Sequence, residues 1–157
     1  MISTELLRHY TFFGTLDDSQ LKEIAAISQD ERFEKGTTLF EEGQPAETLY
    51  FLVEGSISLY FIIEEKYHPR GRKEFMVGEI NPGEVFAISG LIEPYVYTST
   101  ARVDRASRVV MIQAKALRRM LDDNCDIGYK VMCQIAHAAI ERLNSARVLL
   151  AGCTDQG

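Results

Sequence analysis

The feature that most limits what this chain can fold into is the rhythm of residues 32–112. Short β-rich runs alternate there with glycine- and proline-containing turns. Thr37-Thr38-Leu39-Phe40 leads into Glu42-Gly43-Gln44-Pro45, and Leu49-Tyr50-Phe51-Leu52-Val53 leads into Glu54-Gly55. A further run covers residues 56–63, and a charged loop follows over 64–73. Residues 74–80 end at Asn81-Pro82-Gly83, and two more runs occupy 97–103 and 107–112. No long helix survives such punctuation. Short strands joined by turns that need positive φ imply a sandwich, barrel or roll.

Both flanks read as helix. Residues 3–10 form a short candidate. A second helix starts after Leu16, where Asp17 and Gln20 fit a capping box and Leu16 and Leu21 a hydrophobic staple. Leu21, Ile24, Ala25 and Ile27 give it one apolar face. Beyond Gln113, residues 114–121 predict a short helix, broken by Asp122-Asp123-Asn124, and a last helix runs from Asp126 to about Leu150. On it, Met132, Ala136, Ala139, Leu143, Ala146 and Leu150 recur at steps of four and three, the spacing of a coiled-coil seam. Ile127, Val131 and Ile135 form a second row, suited to the chain's own body. Two apolar rows predict a homodimer through the first row; one broad core-facing stripe in a monomer is the alternative.

With 157 residues, one domain is expected, with helices over about 3–28, the β region over about 32–113 and helices over about 114–151. A net charge of -6 argues against broad nucleic-acid binding, which calls for a basic face. The locally basic loop 66–73 reads as a solvated hairpin tip. No apolar run reaches the length of a membrane span and no signal-peptide pattern opens the chain, so a cytoplasmic location is expected. Cys125, Cys133 and Cys153 are odd in number and lack a CxxC pair, so neither a disulfide framework nor a metal site is expected. No nucleophile–base pair, P-loop or paired carboxylates are readable. The chain is expected to have no catalytic residues and not to be an enzyme.

Several stretches carry a family resemblance. Phe33-Glu34-Lys35-Gly36 through Glu42-Gly43-Gln44-Pro45-Ala46 resembles the opening strand and turn of cyclic-nucleotide-binding domains. Leu49 to Gly55 resembles the next strand and turn, and Asn81-Pro82-Gly83-Glu84-Val85-Phe86 the approach to the phosphate-binding cassette. Order and spacing hold over most of the chain. The resemblance implies a mainly β fold with flanking helices: a double-stranded β-helix, or jelly-roll-like β-roll, with N-terminal helices and a long C-terminal helix. In that family, a short helix aims backbone N–H groups at the cyclic phosphate. An arginine and a Ser or Thr hydroxyl add contacts, a glutamate holds the ribose, and the base meets the long helix.

This chain departs from the pattern at both charged positions. The family cassette reads Phe-Gly-Glu-Leu-Ala-Leu-Leu, and here the stretch is Phe86-Ala87-Ile88-Ser89-Gly90-Leu91-Ile92. Ile88 stands in the place of the ribose glutamate. Thr98-Ser99-Thr100-Ala101 aligns Ser99 with the phosphate arginine, while Thr100 matches the phosphate hydroxyl. Gly90 and Ala101 keep the small residues a pocket needs. The N–H groups over 87–90 suit an anion nest, with hydroxyls from Ser89, Tyr97, Thr98, Ser99 and Thr100. Arg102 falls on the opposite strand face, and Arg147 on the long helix is placed to reach a ligand. The missing glutamate and arginine imply weak cyclic-nucleotide binding or another ligand. Some relatives sense gases through haem, but His9, His68 and His137 show no pairing that suits it.

These residues point to a non-enzymatic sensor. A small anionic effector, a cyclic nucleotide among the options, is expected between the cassette and the long helix, with the signal passing through a homodimer to a protein partner. The alternatives are a scaffold module whose pocket is plugged by Phe86, Ile88 or Tyr97, or the sensor half of a transcription regulator. Regulators of the catabolite-activator type carry a helix-turn-helix beyond the long helix. The 157 residues contain no such element, so no direct DNA binding is expected.

Overall fold

The computed structural model describes residues 2–64 and 71–155. Helices α1 (Thr4–Arg8) and α2 (Asp18–Ala26) precede a six-stranded antiparallel sheet. Its strands are β1 (Ser28–Phe33), β2 (Thr38–Phe40), β3 (Thr48–Glu64), β4 (Arg72–Ile80), β5 (Val85–Phe86) and β6 (Thr100–Gln113). A 3-10 helix, Ile88–Leu91, separates β5 from β6, and helices α3 (Ala114–Asp123) and α4 (Cys125–Asp155) close the order. The path through the sheet is β1-β6-β3-β4, with β2 paired to β6 and β5 to β3. This is the expected mainly β roll with flanking helices and a long last helix.

Both halves of the capping box on α2 are present. The Asp17 carboxylate accepts from the Gln20 N–H at 2.8 Å, and the Gln20 side chain accepts from the Asp17 N–H at 3.0 Å. Gln20 also donates to Asp126 at 2.9 Å, which ties α2 to the start of α4. Hydrogen bonds from Gln20 and then Lys130 hold the Asp126 carboxyl below its usual range.

Several boundaries differ from the sequence expectation. The first strand starts at Ser28, about four residues before the expected start of the β region: the Ser28 hydroxyl donates to the Ile24 carbonyl, and the chain then pairs along β6 from Ser28↔Ile112 to Phe33↔Ser107. Four consecutive exposed residues on this edge strand hide the period-two signal. The runs 49–53 and 56–63 are one continuous β3, and 107–112 belongs to a β6 that starts at Thr100, not at Tyr97. Both long strands bend where Gly55 meets Ser107. Gly55 has φ +106°, and a Cβ there would lie 2.7 Å from the Ser107 Cα. The β3–β6 register shifts around this point, between Leu52 and Ile57. The shift changes which residues face inward. Tyr50 and Leu52 line the roll interior before the bend and Ile57 and Leu59 after it, as an inserted residue requires. Helix α3 runs two residues past Leu121, and Asn124, not Asp126, caps α4 by accepting from the N–H groups of Asp126 and Ile127.

Two apolar clusters result. One fills the roll with Phe40, Tyr50, Leu52, Ile57, Ile80, Phe86, Tyr97 and Val109. The other lies between the opposite face of β3 and β6 and the helices, and includes Phe13, Leu21, Phe51, Val110, Leu117, Ile127, Val131 and Ile135. The row Ile127, Val131, Ile135 thus faces the body of the chain. Leu16 and Leu21, the staple pair, are buried in the same cluster. Helix α4 leaves much of its other apolar row exposed, Met132 by 37% and Leu143 by 50%. Among the described residues, no helix is long and apolar enough to cross a membrane. Residues 65–70, which hold most of the basic loop and His68, lie outside the described residues.

Candidate functional site

A cavity of about 340 Å³ lies between the roll and α4. Phe40, Phe86 and Tyr97 line it from the roll interior, joined by Leu59 on β3 and Val77 on β4. The segment after β5 contributes Ala87, Ile88 and Ser89, and the stretch before β6 contributes Thr98 and Ser99. Helix α4 closes the other side with Ala139, Arg142, Leu143 and Ala146.

The aromatic floor is rigid. Tyr97 stacks on Phe40 with ring centroids 4.0 Å apart, and Phe86 stacks on Tyr50 at 5.1 Å. The Tyr97 hydroxyl donates to the Thr48 carbonyl at 3.0 Å and accepts from the Thr48 N–H at 3.3 Å. Burial raises the Tyr50 phenol to about 12, and raises the Tyr97 phenol as well, so both rings are neutral at physiological pH. Ala87 has φ 61°, ψ 38°, a left-handed conformation that costs a non-glycine residue roughly 1–2 kcal/mol. The family pattern places glycine at this position. The turn turns the chain out of β5 and presents Ile88 and Ser89 to the cavity.

Arg142 is the site's unforeseen residue. It is the one ionised side chain among the described residues that line the cavity. Its Nη2 donates to the Val85 carbonyl at 3.0 Å and lies 2.9 Å from Glu84 Oε2. That oxygen is buried and makes no aligned hydrogen bond, so the contact is an ion pair without hydrogen-bond geometry. The other Glu84 oxygen accepts from Asn81 Nδ2 at 3.2 Å. Helical spacing held the signal: Arg142 sits three residues after Ala139 and four before Ala146, on the same face as both.

Of the residues expected to bind ligand, the fold brings together Phe86, Ala87, Ile88, Ser89, Thr98 and Ser99. Five others lie outside the cavity lining. The Gly90 N–H is committed to the Ala87 carbonyl inside the 3-10 turn, which removes it from any nest, and a Cβ on Gly90 would press on Ala114 at 3.1 Å. Leu91 turns toward a separate cavity beside Tyr95 and Arg118. The Thr100 hydroxyl accepts from the Glu42 N–H at 3.0 Å, which helps hold the turn after β2, and Thr100 is not part of the lining. Ala101 is buried in the roll core. Arg147 is exposed on α4 and does not reach the lining. Arg102 pairs with Glu74 through Nη1 and Nη2, away from the cavity. The cavity is therefore open rather than plugged: Phe86 and Tyr97 form its floor. It is also more apolar than the hydroxyl count suggested, because Thr100 lies outside the lining and the Tyr97 hydroxyl is bonded to the Thr48 backbone. Among the described residues no cluster of His, Cys, Asp or Glu is arranged to hold a metal ion, and the three cysteines are free and exposed.

The sequence profile of the cyclic nucleotide-binding domain matches residues 30–124. The chain belongs to the cyclic nucleotide-binding domain family. It is 24% identical over 132 residues to the CRP-like cAMP-activated global transcriptional regulator of Mycobacterium tuberculosis, covering 84% of this chain and 56% of that protein. It is 30% identical over 106 residues to the cAMP-activated global transcriptional regulator CRP of Escherichia coli O157:H7, covering 67% of this chain and 48% of that one. The chain thus spans about half the length of these curated relatives. Among solved structures, a candidate cyclic nucleotide-binding protein of Geobacter metallireducens GS-15 superposes with a TM-score of 0.79 at 39% identity, covering 91% of this chain and 99% of that one. The two curated relatives are transcriptional regulators, and the Geobacter structure shares the fold over 91% of this chain.

Proposed function

We propose that this domain is a non-enzymatic cytoplasmic sensor that binds a small anionic effector in the cavity between the roll and α4. The observation that carries this reading is that one helix bounds the cavity and also bears the exposed seam. Ala139, Leu143 and Ala146 line the cavity and belong to the row Met132, Ala136, Ala139, Leu143, Ala146 and Leu150. A ligand seated there touches the surface through which two copies would pair. Occupancy then shifts the dimer between two helix arrangements in proportion to its differential affinity for them. The names of the relatives support cyclic AMP as one ligand to test. Ile88 in place of a ribose-binding glutamate supports a different or weaker ligand.

The test is calorimetric titration of ligand-free protein with cyclic AMP, cyclic GMP and a cyclic dinucleotide, with the molar mass measured in parallel. Saturable binding by a homodimer is expected. A monomer that binds none of them would favour the second reading, an interaction module with a vestigial pocket, which the apolar lining supports. The half-length match to transcription regulators supports a place for this domain as the sensor part of such a regulator.

A further inference from the structure

We infer that Arg142 is the anion-reading group of this cavity, delivered from α4 rather than from the cassette, and that Glu84 is its built-in competitor. The inference rests on the effector-pocket reading and names the ligand class that pocket selects: a monoanion with an apolar body.

Three observations carry it. First, the lining is dominated by Phe40, Leu59, Val77, Phe86 and Ile88, with Arg142 as its one charge among the described residues. One guanidinium, its charge already shared with Glu84, can balance at most one negative charge on an otherwise apolar molecule. A second negative charge would be buried without a partner. Second, both protein contacts of the guanidinium use Nη2. Arginine has five N–H donors. Nη1 and Nε, with three of them, have no protein partner among the described residues. An arginine anchored through one nitrogen is pre-oriented, with donors left for an acceptor in the cavity. Third, the anchor is imperfect. The Glu84 oxygen beside Nη2 is buried but not aligned for a hydrogen bond. The Val85 carbonyl therefore sets the direction of the guanidinium, while Glu84 offsets its charge. A bound anion and Glu84 share one cation, so each weakens the other's hold. Because Glu84 stands just before β5 and Arg142 on α4, that competition acts across the boundary between roll and helix.

The experiment follows the Arg142 Nε–H resonance and the α4 amides of the full chain by nuclear magnetic resonance, during titration with benzoate and with its uncharged analogue benzamide. In the wild type, benzoate is expected to move the Arg142 resonance saturably and benzamide to bind at least about tenfold more weakly, the worth of one charge-assisted hydrogen bond. Glu84→Gln keeps an acceptor and removes the charge, and is expected to tighten benzoate about tenfold. Arg142→Gln is expected to bring benzoate down to the benzamide level, with Arg142→Lys in between. A gain of affinity in E84Q is a result that a destabilised protein cannot mimic. Benzoate affinity unchanged in both E84Q and R142Q, or no saturable shift in wild type and E84Q alike, would overturn the inference. The nucleotide titration above judges the effector pocket separately: nucleotide binding unaffected by R142Q would sink the role of Arg142 and leave the pocket standing.

Discussion

Tyr97 lies against Phe40 with 19° between the ring planes and 4.0 Å between centroids, and its hydroxyl closes on the backbone of Thr48. This pairing joins the stretch before β6 to β2 and to the start of β3, and so forms the cavity floor. Tyr97→Phe retains the stack and removes the hydroxyl that bonds the Thr48 carbonyl and N–H. It is expected to lower stability by about 1–2 kcal/mol in urea unfolding, the ordinary loss for a buried hydrogen bond. Tyr97→Ala also empties the floor and is expected to lose roughly 3–5 kcal/mol.

Burial of the Tyr50 ring between Phe40 and Phe86 has an alkaline consequence. Its phenol moves from 10.0 to about 12. Between those values the folded chain keeps a proton that the unfolded chain has lost. Stability therefore falls as pH rises through that window, and is fully present below it. Tyr50→Phe removes the ionisable group, so the slope of stability against pH between about 10 and 12 is expected to flatten. Thermal melts across that range read the effect directly.

Gly55 permits the bend at which β3 changes its inward face. Its φ of +106° suits glycine, and a Cβ would also run into Ser107, whose hydroxyl accepts from the Ser56 N–H at 3.1 Å. Gly55→Ala combines backbone strain with a clash that neither strand can relax without losing register. A loss of at least about 2 kcal/mol is expected. Gly152→Ala, where a Cβ would meet nothing within 4 Å, is the control and is expected to be near neutral.

What could be read in the sequence followed from local chemistry. The Asp17–Gln20 box, the turns at Gly43 and Gly83 and the core row on α4 are each set by residues close in the chain. The features that escaped depend on partners far away. Strand β1 is polar along its exposed edge and becomes a strand because β6 offers a ladder. Thr100 reads as a ligand hydroxyl in the sequence, which does not show that the fold also brings the Glu42 N–H to it across 58 residues. Helical spacing places Arg142 on the face of Ala139 and Ala146, but its partners Val85 and Glu84 lie far away in the chain, and only the fold separates it from Arg147, which faces solvent.

The seam on α4 gives the last prediction. Ala136 is exposed, one turn from Ala139, in a row whose larger members Met132 and Leu143 are also in solvent. The cavity accounts for Ala139, Leu143 and Ala146 but not for Met132, Ala136 and Leu150, which lie outside its lining; two apolar stripes of alternating four- and three-residue spacing pack on each other. Ala136→Glu places a charge in the stripe without disturbing Val131 or Ile135 on the buried face. Sedimentation is expected to show a dimeric wild type and a monomeric variant, with nearly unchanged urea unfolding once the concentration-dependent contribution of dimerisation is removed. A monomeric wild type would instead make the row part of one broad stripe serving only the chain's own core, and would leave the cavity without a dimer to signal through.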